Sequence, residues 1–223
     1  MVTPEPAQNE IKAQVVRVVD GDTVVVRFLP GKAVMSWGDG CRIPAGGGWL
    51  WVKATEKVRL IGVNAPETGD GNPRELFGEK AKRYTRKRLL NQVVTLFFDT
   101  ETRDRYGRLL AYLYLKGGLF NRELVAEGYA QVYTVPPNVK YAAVLLAAQR
   151  EAIREGRGLW GMREFDPHPV IGNRQSFVYH HPGCTELPVL PNQVRFKNEK
   201  EAVVAGYHPC RSCFCRPSEG TAF

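Results

Sequence analysis

Val19-Asp20-Gly21-Asp22-Thr23 stands between two runs rich in β-branched residues, Ile11 to Val19 and Thr23 to Leu29. Asp-Gly-Asp is a turn signal, so the three pieces read as a β-hairpin whose turn carries the Asp22 carboxylate. A third apolar run resumes at Leu50 and ends in Val58-Arg59-Leu60-Ile61-Gly62-Val63-Asn64-Ala65-Pro66-Glu67-Thr68. That ending gathers a guanidinium, an amide oxygen and a carboxylate. Metal-assisted phosphodiester cleavage needs groups of these kinds: hard oxygens for a cation, a base, and fixed positive charge around phosphorus.

Residues 1–10 are polar, contain Pro4 and Pro6, and read as a disordered tail. Pro30 to Gly48 is rich in Gly and Pro and reads as an insertion at a hairpin tip, outside the core. Its Trp37 and the adjoining Trp49 either stack on bases or pack within the loop. Leu50 to Val63 reads as a strand, and Pro66 to Pro73 as a loop. Phe77, Ala81, Tyr84 and Leu89 lie on one stripe, which predicts a helix over Glu75 to Leu90. The other face, with Lys80, Lys82, Arg83, Arg86, Lys87 and Arg88, either contacts phosphates or is simply solvated. Val93 to Phe98 and Leu109 to Leu115 are two more strands, with Asp104 to Gly107 turning between them. Leu119 to Glu127 is a short helix stopped by Gly128. Tyr141 to Glu155 is an amphipathic helix stopped by Gly156. Five strands and three helices imply a mainly β, α+β domain over residues 11–163, built on an OB-type Greek-key barrel of the kind that binds oligonucleotides. Pro167, Pro169 and Gly172 mark residues 164–175 as a linker to a small module at 176–217, with 218–223 as a tail.

The formal charge of +8 is unevenly placed. Residues 1–163 hold 25 Lys+Arg against 17 Asp+Glu, whereas residues 164–223 hold six of each. The basic excess belongs to the first domain and favours a polyanionic partner there; the plainer reading is solubility. No stretch is long and apolar enough to span a bilayer, and the first residues are not a signal peptide. The expected location is cytoplasmic, or exported with the signal removed. Four of the five cysteines fall in the last 40 residues and Cys41 stands alone. The odd count argues against a complete disulfide framework.

Together with Asp104-Arg105-Tyr106-Gly107-Arg108, the two opening segments resemble the staphylococcal nuclease (thermonuclease) family, from about Ile11 to Trp160. Three short motifs in the family's order carry the resemblance. It implies a nuclease with calcium as cofactor, acting on single-stranded or unwound DNA and RNA with little sequence preference and leaving 3′-phosphate ends. It also implies a calcium site made by Asp22, the residue at position 64 and the backbone carbonyl of Ala65. The family commonly has Asp at position 64. Asn64 still offers an oxygen but brings no charge, so weaker metal binding is expected. Glu67 is the expected general base, taking a proton from the attacking water. Arg59 and Arg108 are the expected pair of guanidinium groups holding the charged phosphate oxygens. On physics alone Asp22 also suits a turn-capping role and Glu67 a surface carboxylate, while Arg59 is awkwardly placed for a side chain that is only solvated. Arg105, Tyr106 and Tyr133 are the candidate substrate-binding residues; for the two tyrosines, packing or turn support is the alternative.

In the C-terminal stretch, Tyr179-His180-His181-Pro182-Gly183-Cys184 is followed by Cys210-Arg211-Ser212-Cys213. The H-x3-C and C-x2-C spacings fit a closed tetrahedral zinc site of His180, Cys184, Cys210 and Cys213. Two disulfides are the alternative, although Cys210 and Cys213 are too close to pair in most geometries. His181, His208 and Cys215 are competing ligands. Ala205 to Cys213 resembles the metal-binding module of the Ada DNA-repair protein, whose site has four cysteines; His180 replaces the methyl-accepting one, so methyl transfer is not expected. So small a unit builds little core, and a metal would supply folding energy. Its near-zero charge favours a structural or protein-docking role. The leading expectation is thus a calcium-dependent nuclease with a zinc module. The alternative is a catalytically weakened nucleic-acid-binding OB barrel with a zinc docking module, which Asn64 favours.

Overall fold

The Asp20-Gly21-Asp22 turn joins β1 (Ile11–Asp20) to β2 (Thr23–Phe28), with Asp20 paired to Thr23. In β1, Ile11, Ala13 and Val15 point into the core while Lys12 is exposed, as alternation requires. The computed structural model describes residues 11–31, 35–37, 40–45, 47–68 and 73–214; the two expected tails and Cys215 lie outside them.

The expected loop between Pro30 and Gly48 contains ordered structure. β3 (Met35–Trp37), β4 (Gly40–Ala45) and β5 (Gly48–Lys53) form an antiparallel meander, whose Cys41, Ile43 and Val52 enter the main core. The expected single strand from Leu50 to Val63 is three strands. β5 gives way to β6 (Thr55–Leu60), and Gly62, at φ +77°, turns the chain into β7 (Gly62–Asn64). α1 (Pro73–Leu89), β8 (Val93–Phe97), β9 (Leu109–Leu115), β10 (Gly118–Leu119), α2 (Phe120–Ala126), β11 (Gln131–Tyr133) and α3 (Ala142–Arg154) follow.

β1, β2, β6, β9 and β8 pair in a closed circuit, with β6–β9 parallel and the other joints antiparallel. This is the expected five-stranded barrel, of mixed type. Its interior holds Val15, Val24, Val26, Val58, Leu60, Leu96 and Leu113, all at most 2% exposed. Burying each such side chain contributes about 1.5–3 kcal/mol.

The stretch 164–175, expected as a linker, contributes β12 (Val170–Asn173), an inner strand of a second sheet. β13 (Val178–His180), β14 (Gln193–Phe196), α4 (Glu199–Val204), β15 (His208–Pro209) and α5 (Arg211–Phe214) complete this unit, in the sheet order β14-β12-β13-β15. Asn198 caps α4 by accepting from the Glu201 amide at 2.9 Å.

α3 serves both units. Leu145 and Ala148 belong to the barrel core and Ala152 to the core of the second unit. Buried Gln149 accepts from the Val132 amide at 2.6 Å and donates to the Val203 carbonyl at 2.8 Å, joining β11 to α4. No helix among the described residues is long and apolar enough to cross a membrane.

Candidate active site and metal centre

Gly21 brings the first site segment against the second: a Cβ there would lie 2.5 Å from the Ala65 Cβ and 2.9 Å from that of Ala81 in α1. Thr85 of α1 donates to the Gly21 carbonyl at 2.7 Å, clamping the turn from behind. Asp22 is consequently buried. Its Oδ2 accepts from the Ala65 amide at 2.7 Å and lies 3.0 Å from Arg59 Nη1; its Oδ1 accepts from the Thr23 hydroxyl. Arg59 reaches this spot because β6 pairs it with Thr23, next to Asp22. Its Nη2 donates to Asn64 Oδ1 at 2.8 Å, and Nη1 to the carbonyls of Val63 and Leu60. One guanidinium therefore knits Asp22, Asn64 and the loop into a single cluster.

Burial pushes the Asp22 carboxyl up to about 7, against the downward pull of Arg59. A divalent cation would favour the ionised form, and Asp22, the Asn64 amide oxygen and the Ala65 carbonyl are hard donors of the kind that such an ion takes.

Glu67 follows in the same loop with its side chain exposed. Its backbone is held from behind: a Cβ on Gly78 of α1 would lie 2.2 Å from the Glu67 carbonyl oxygen, so only glycine lets the helix approach so closely. Arg108 arrives by the parallel pairing of β6 with β9, in which Arg59 sits opposite Leu110, two residues further on. Asp104 fixes it, accepting from the Arg108 amide at 3.0 Å and from its Nε at 2.6 Å. Tyr106 projects from the same turn, 66% exposed; the Arg108 guanidinium lies 5.4 Å and that of Arg105 4.8 Å from its ring centre, and Arg105 donates to its hydroxyl.

Comparison with known proteins bears on this arrangement. A family model described as "Staphylococcal nuclease homologue" matches residues 57–162. The thermonuclease of Staphylococcus intermedius is 38% identical over 145 residues, covering 65% of this chain and 73% of its own. The chain belongs to the staphylococcal nuclease family. The thermonuclease of Staphylococcus hyicus is 35% identical, over 68% of this chain and 77% of its own. Endonuclease YhcR of Bacillus subtilis (strain 168) is 28% identical over 92% of this chain, but 17% of its own length. Membership makes the chain a nuclease, a hydrolase of nucleic-acid phosphodiester bonds, on a barrel of the family's α+β type.

The second unit of this nuclease carries its own cluster. One ligand atom each from His180, Cys184, Cys210 and Cys213 falls within 4.8 Å of the others. These are the four residues expected from spacing. The three thiols are free, and His180 Nδ1 is buried without a hydrogen-bond partner. A closed site with metal–sulfur bonds of about 2.3 Å accommodates such a set. Burial pushes the Cys213 thiol up to about 12 and the His180 imidazole down, so a cation is what would turn these groups into thiolates around a neutral imidazole. Of the competing ligands, His181 stacks on Phe214 at 4.0 Å and the His208 ring lies tilted against Tyr133 at 4.1 Å.

Tyr133, a candidate for substrate binding, thus faces the second unit with its ring. Its strand links the two sites, since Gln131 of β11 pairs with Asn64 of β7. The Gln131 side chain accepts from Arg163 at 3.2 Å, and Arg163 ion-pairs with Glu199 of α4 at 2.6 Å. Gly21 is read from the sequence only as part of the turn, and Gly78, Thr85 and Gln149 are not singled out there at all. Each acts by close approach or by a hydrogen bond to a segment distant along the chain.

Proposed function

We propose that this nuclease cleaves single-stranded or unwound DNA and RNA, with little sequence preference, in a calcium-dependent reaction that leaves 3′-phosphate ends. The observation that carries the reading is the Asp22–Arg59–Asn64–Ala65 cluster, a buried set of hard oxygens crossed by one guanidinium. Asp22, Asn64 and the Ala65 carbonyl would hold the cation, whose chemistry is to offset negative charge beside the attacked phosphate. Glu67 accepts the proton from the attacking water as the new oxygen–phosphorus bond forms. Arg59 and Arg108 hold equatorial phosphate oxygens as their charge grows, and the bond from phosphorus to the 5′ oxygen breaks, that oxygen taking a proton from solvent. Tyr106 and Arg105 hold a neighbouring nucleotide in this reading, which the exposure of the ring supports. Calcium suits the all-oxygen donor set, with Asn64 lowering the affinity relative to a second carboxylate.

For the second unit, zinc suits one imidazole and three thiolates. Its role is to hold the small sheet that braces α3 and β11, rather than to react; a protein partner on the outer face is the remaining use of the module. Digestion of single-stranded DNA with calcium added or selectively chelated, followed by assay of the new ends, tests the reading. Calcium-dependent cutting with 3′-phosphate ends is expected. Equal cutting under chelation, or 3′-hydroxyl products, would refute the mechanism.

A further inference from the structure

The meander β3–β5 has a buried face and an outer face. On β5, Val52 is buried, whereas Trp49 and Trp51, two positions apart and so on the same face, are 55% and 49% exposed. β4 places Pro44 opposite Trp49 and Arg42 opposite Trp51. Gly40 leaves room for the Trp51 indole, whose Cζ2 and Cε2 would lie 2.7 and 2.9 Å from a Cβ at that position. Two large rings on a solvent face leave apolar area in water that a Thr or Lys would not.

These rings are tied to the candidate active site. Arg103 Nη2 donates to the Trp51 carbonyl at 3.2 Å and to Glu56 at 2.8 Å, while its Nη1 donates to the Gly107 carbonyl at 2.7 Å. A single guanidinium therefore fastens the tryptophan strand to the turn that presents Tyr106 and Arg108. The exposed Arg42, Lys53 and Arg105 lie along the same path, in the unit that carries the whole basic excess of the chain.

From this continuity we infer that Trp49 and Trp51 form a stacking platform for unpaired bases of a single strand running on from the scissile phosphodiester past Tyr106, with Arg103 as the positioning residue that aligns the two. Aromatic faces accept any base and cationic side chains follow the backbone, the combination by which single strands are held without sequence preference. A duplex offers no free base faces, so the platform discriminates against it. The inference deepens the nuclease reading by assigning where the strand lies, and its binding arm does not depend on turnover.

The test uses the full chain and a fluorescent oligothymidylate of about 20 nucleotides, with calcium selectively chelated so that nothing is cut. One lost stacking ring weakens binding about fivefold or more. W49A/W51A should therefore lose at least that factor on the single strand and less than about twofold on a duplex of equal length. W49F/W51F, which keeps an aromatic ring at each position, should retain most of the single-strand affinity. If the double alanine variant does not fold, W49A alone reads the same sign. With calcium, the ratio of kcat/KM for the oligomer to that for a dinucleotide should fall by a similar factor. Unchanged single-strand affinity, or equal loss on single strand and duplex, overturns the platform; in the first case the face is left for a protein partner. A wild-type protein that cuts neither substrate defeats the nuclease mechanism, while the binding arm still decides the platform.

Discussion

Replacing Glu199 by Gln removes one charge from the joint between the barrel and the second unit. Glu199 and Arg163 are an ion pair at 2.6 Å, with side chains 6% and 14% exposed. Glu199 also accepts from the Tyr179 hydroxyl at 2.6 Å and the Asp166 amide at 2.8 Å. Removing one partner of a buried pair costs about 3–5 kcal/mol, because the other charge is left uncompensated. The amide of E199Q keeps an acceptor for one of the other donors, which places the cost near the lower end, about 3 kcal/mol. For a chain of this size each kcal/mol moves Tm by about 2–4 °C, so scanning calorimetry should show a drop of about 6–12 °C. The double variant R163M/E199Q strands no charge and should recover a large part of the loss. The pH dependence has a definite sign. Burial works to raise the Glu199 carboxyl, but Arg163, the Tyr179 hydroxyl and the Asp166 amide outweigh it and hold it below its ordinary 4.5. A depressed carboxyl stabilises the fold above its unfolded value and loses that contribution as pH falls through the folded value. The advantage of wild type over E199Q should therefore be flat above pH 4.5 and shrink on acidification below it. A loss under about 1 kcal/mol, or a double variant no more stable than the single one, would refute the reasoning.

Asn64→Asp restores a second carboxylate to the oxygen cluster and should lower the calcium concentration for half-maximal cleavage about tenfold or more; an unchanged requirement would remove Asn64 from the ligand set. Arg108→Lys replaces a planar fork by a single ammonium and should cost about a hundredfold in kcat, while the part-exposed pair with Asp104 makes the stability change small. Turnover near wild type would remove Arg108 from the mechanism. Metal analysis should give about one zinc per chain, and C213S should lose it along with hydrogen-exchange protection in residues 170–214 but not in the barrel. Absence of zinc, with the thiols titrating as disulfide, would end that reading.

Much of the barrel was legible because β1 alternates in burial over its first half, β9 is a continuous apolar run, and the hairpin has an unambiguous turn. The meander was not, because Gly40, Pro44 and Gly48 read as loop punctuation. Gly172 misled in the same way. It marks close packing, since a Cβ there would lie 2.6–2.8 Å from ring atoms of Tyr207 and Phe196. The candidate site residues stand out as motifs, and the tetrad of His180 and three cysteines as a spacing pattern whose ligand atoms the fold gathers. What motif reading does not carry is the set of contacts between distant segments: Gly78 behind Glu67, Thr85 behind Gly21, and the ring of Tyr133 turned to His208.

The central claim is that the exposed Glu67 carboxylate, three residues after Asn64 in the loop that follows β7, serves as the base in phosphodiester hydrolysis. Comparing wild type with E67A on single-stranded DNA at saturating calcium, with Tm measured on both, tests it most directly. The account predicts a fall in kcat of about a hundredfold or more at unchanged Tm. Cleavage by E67A at the wild-type rate would contradict it.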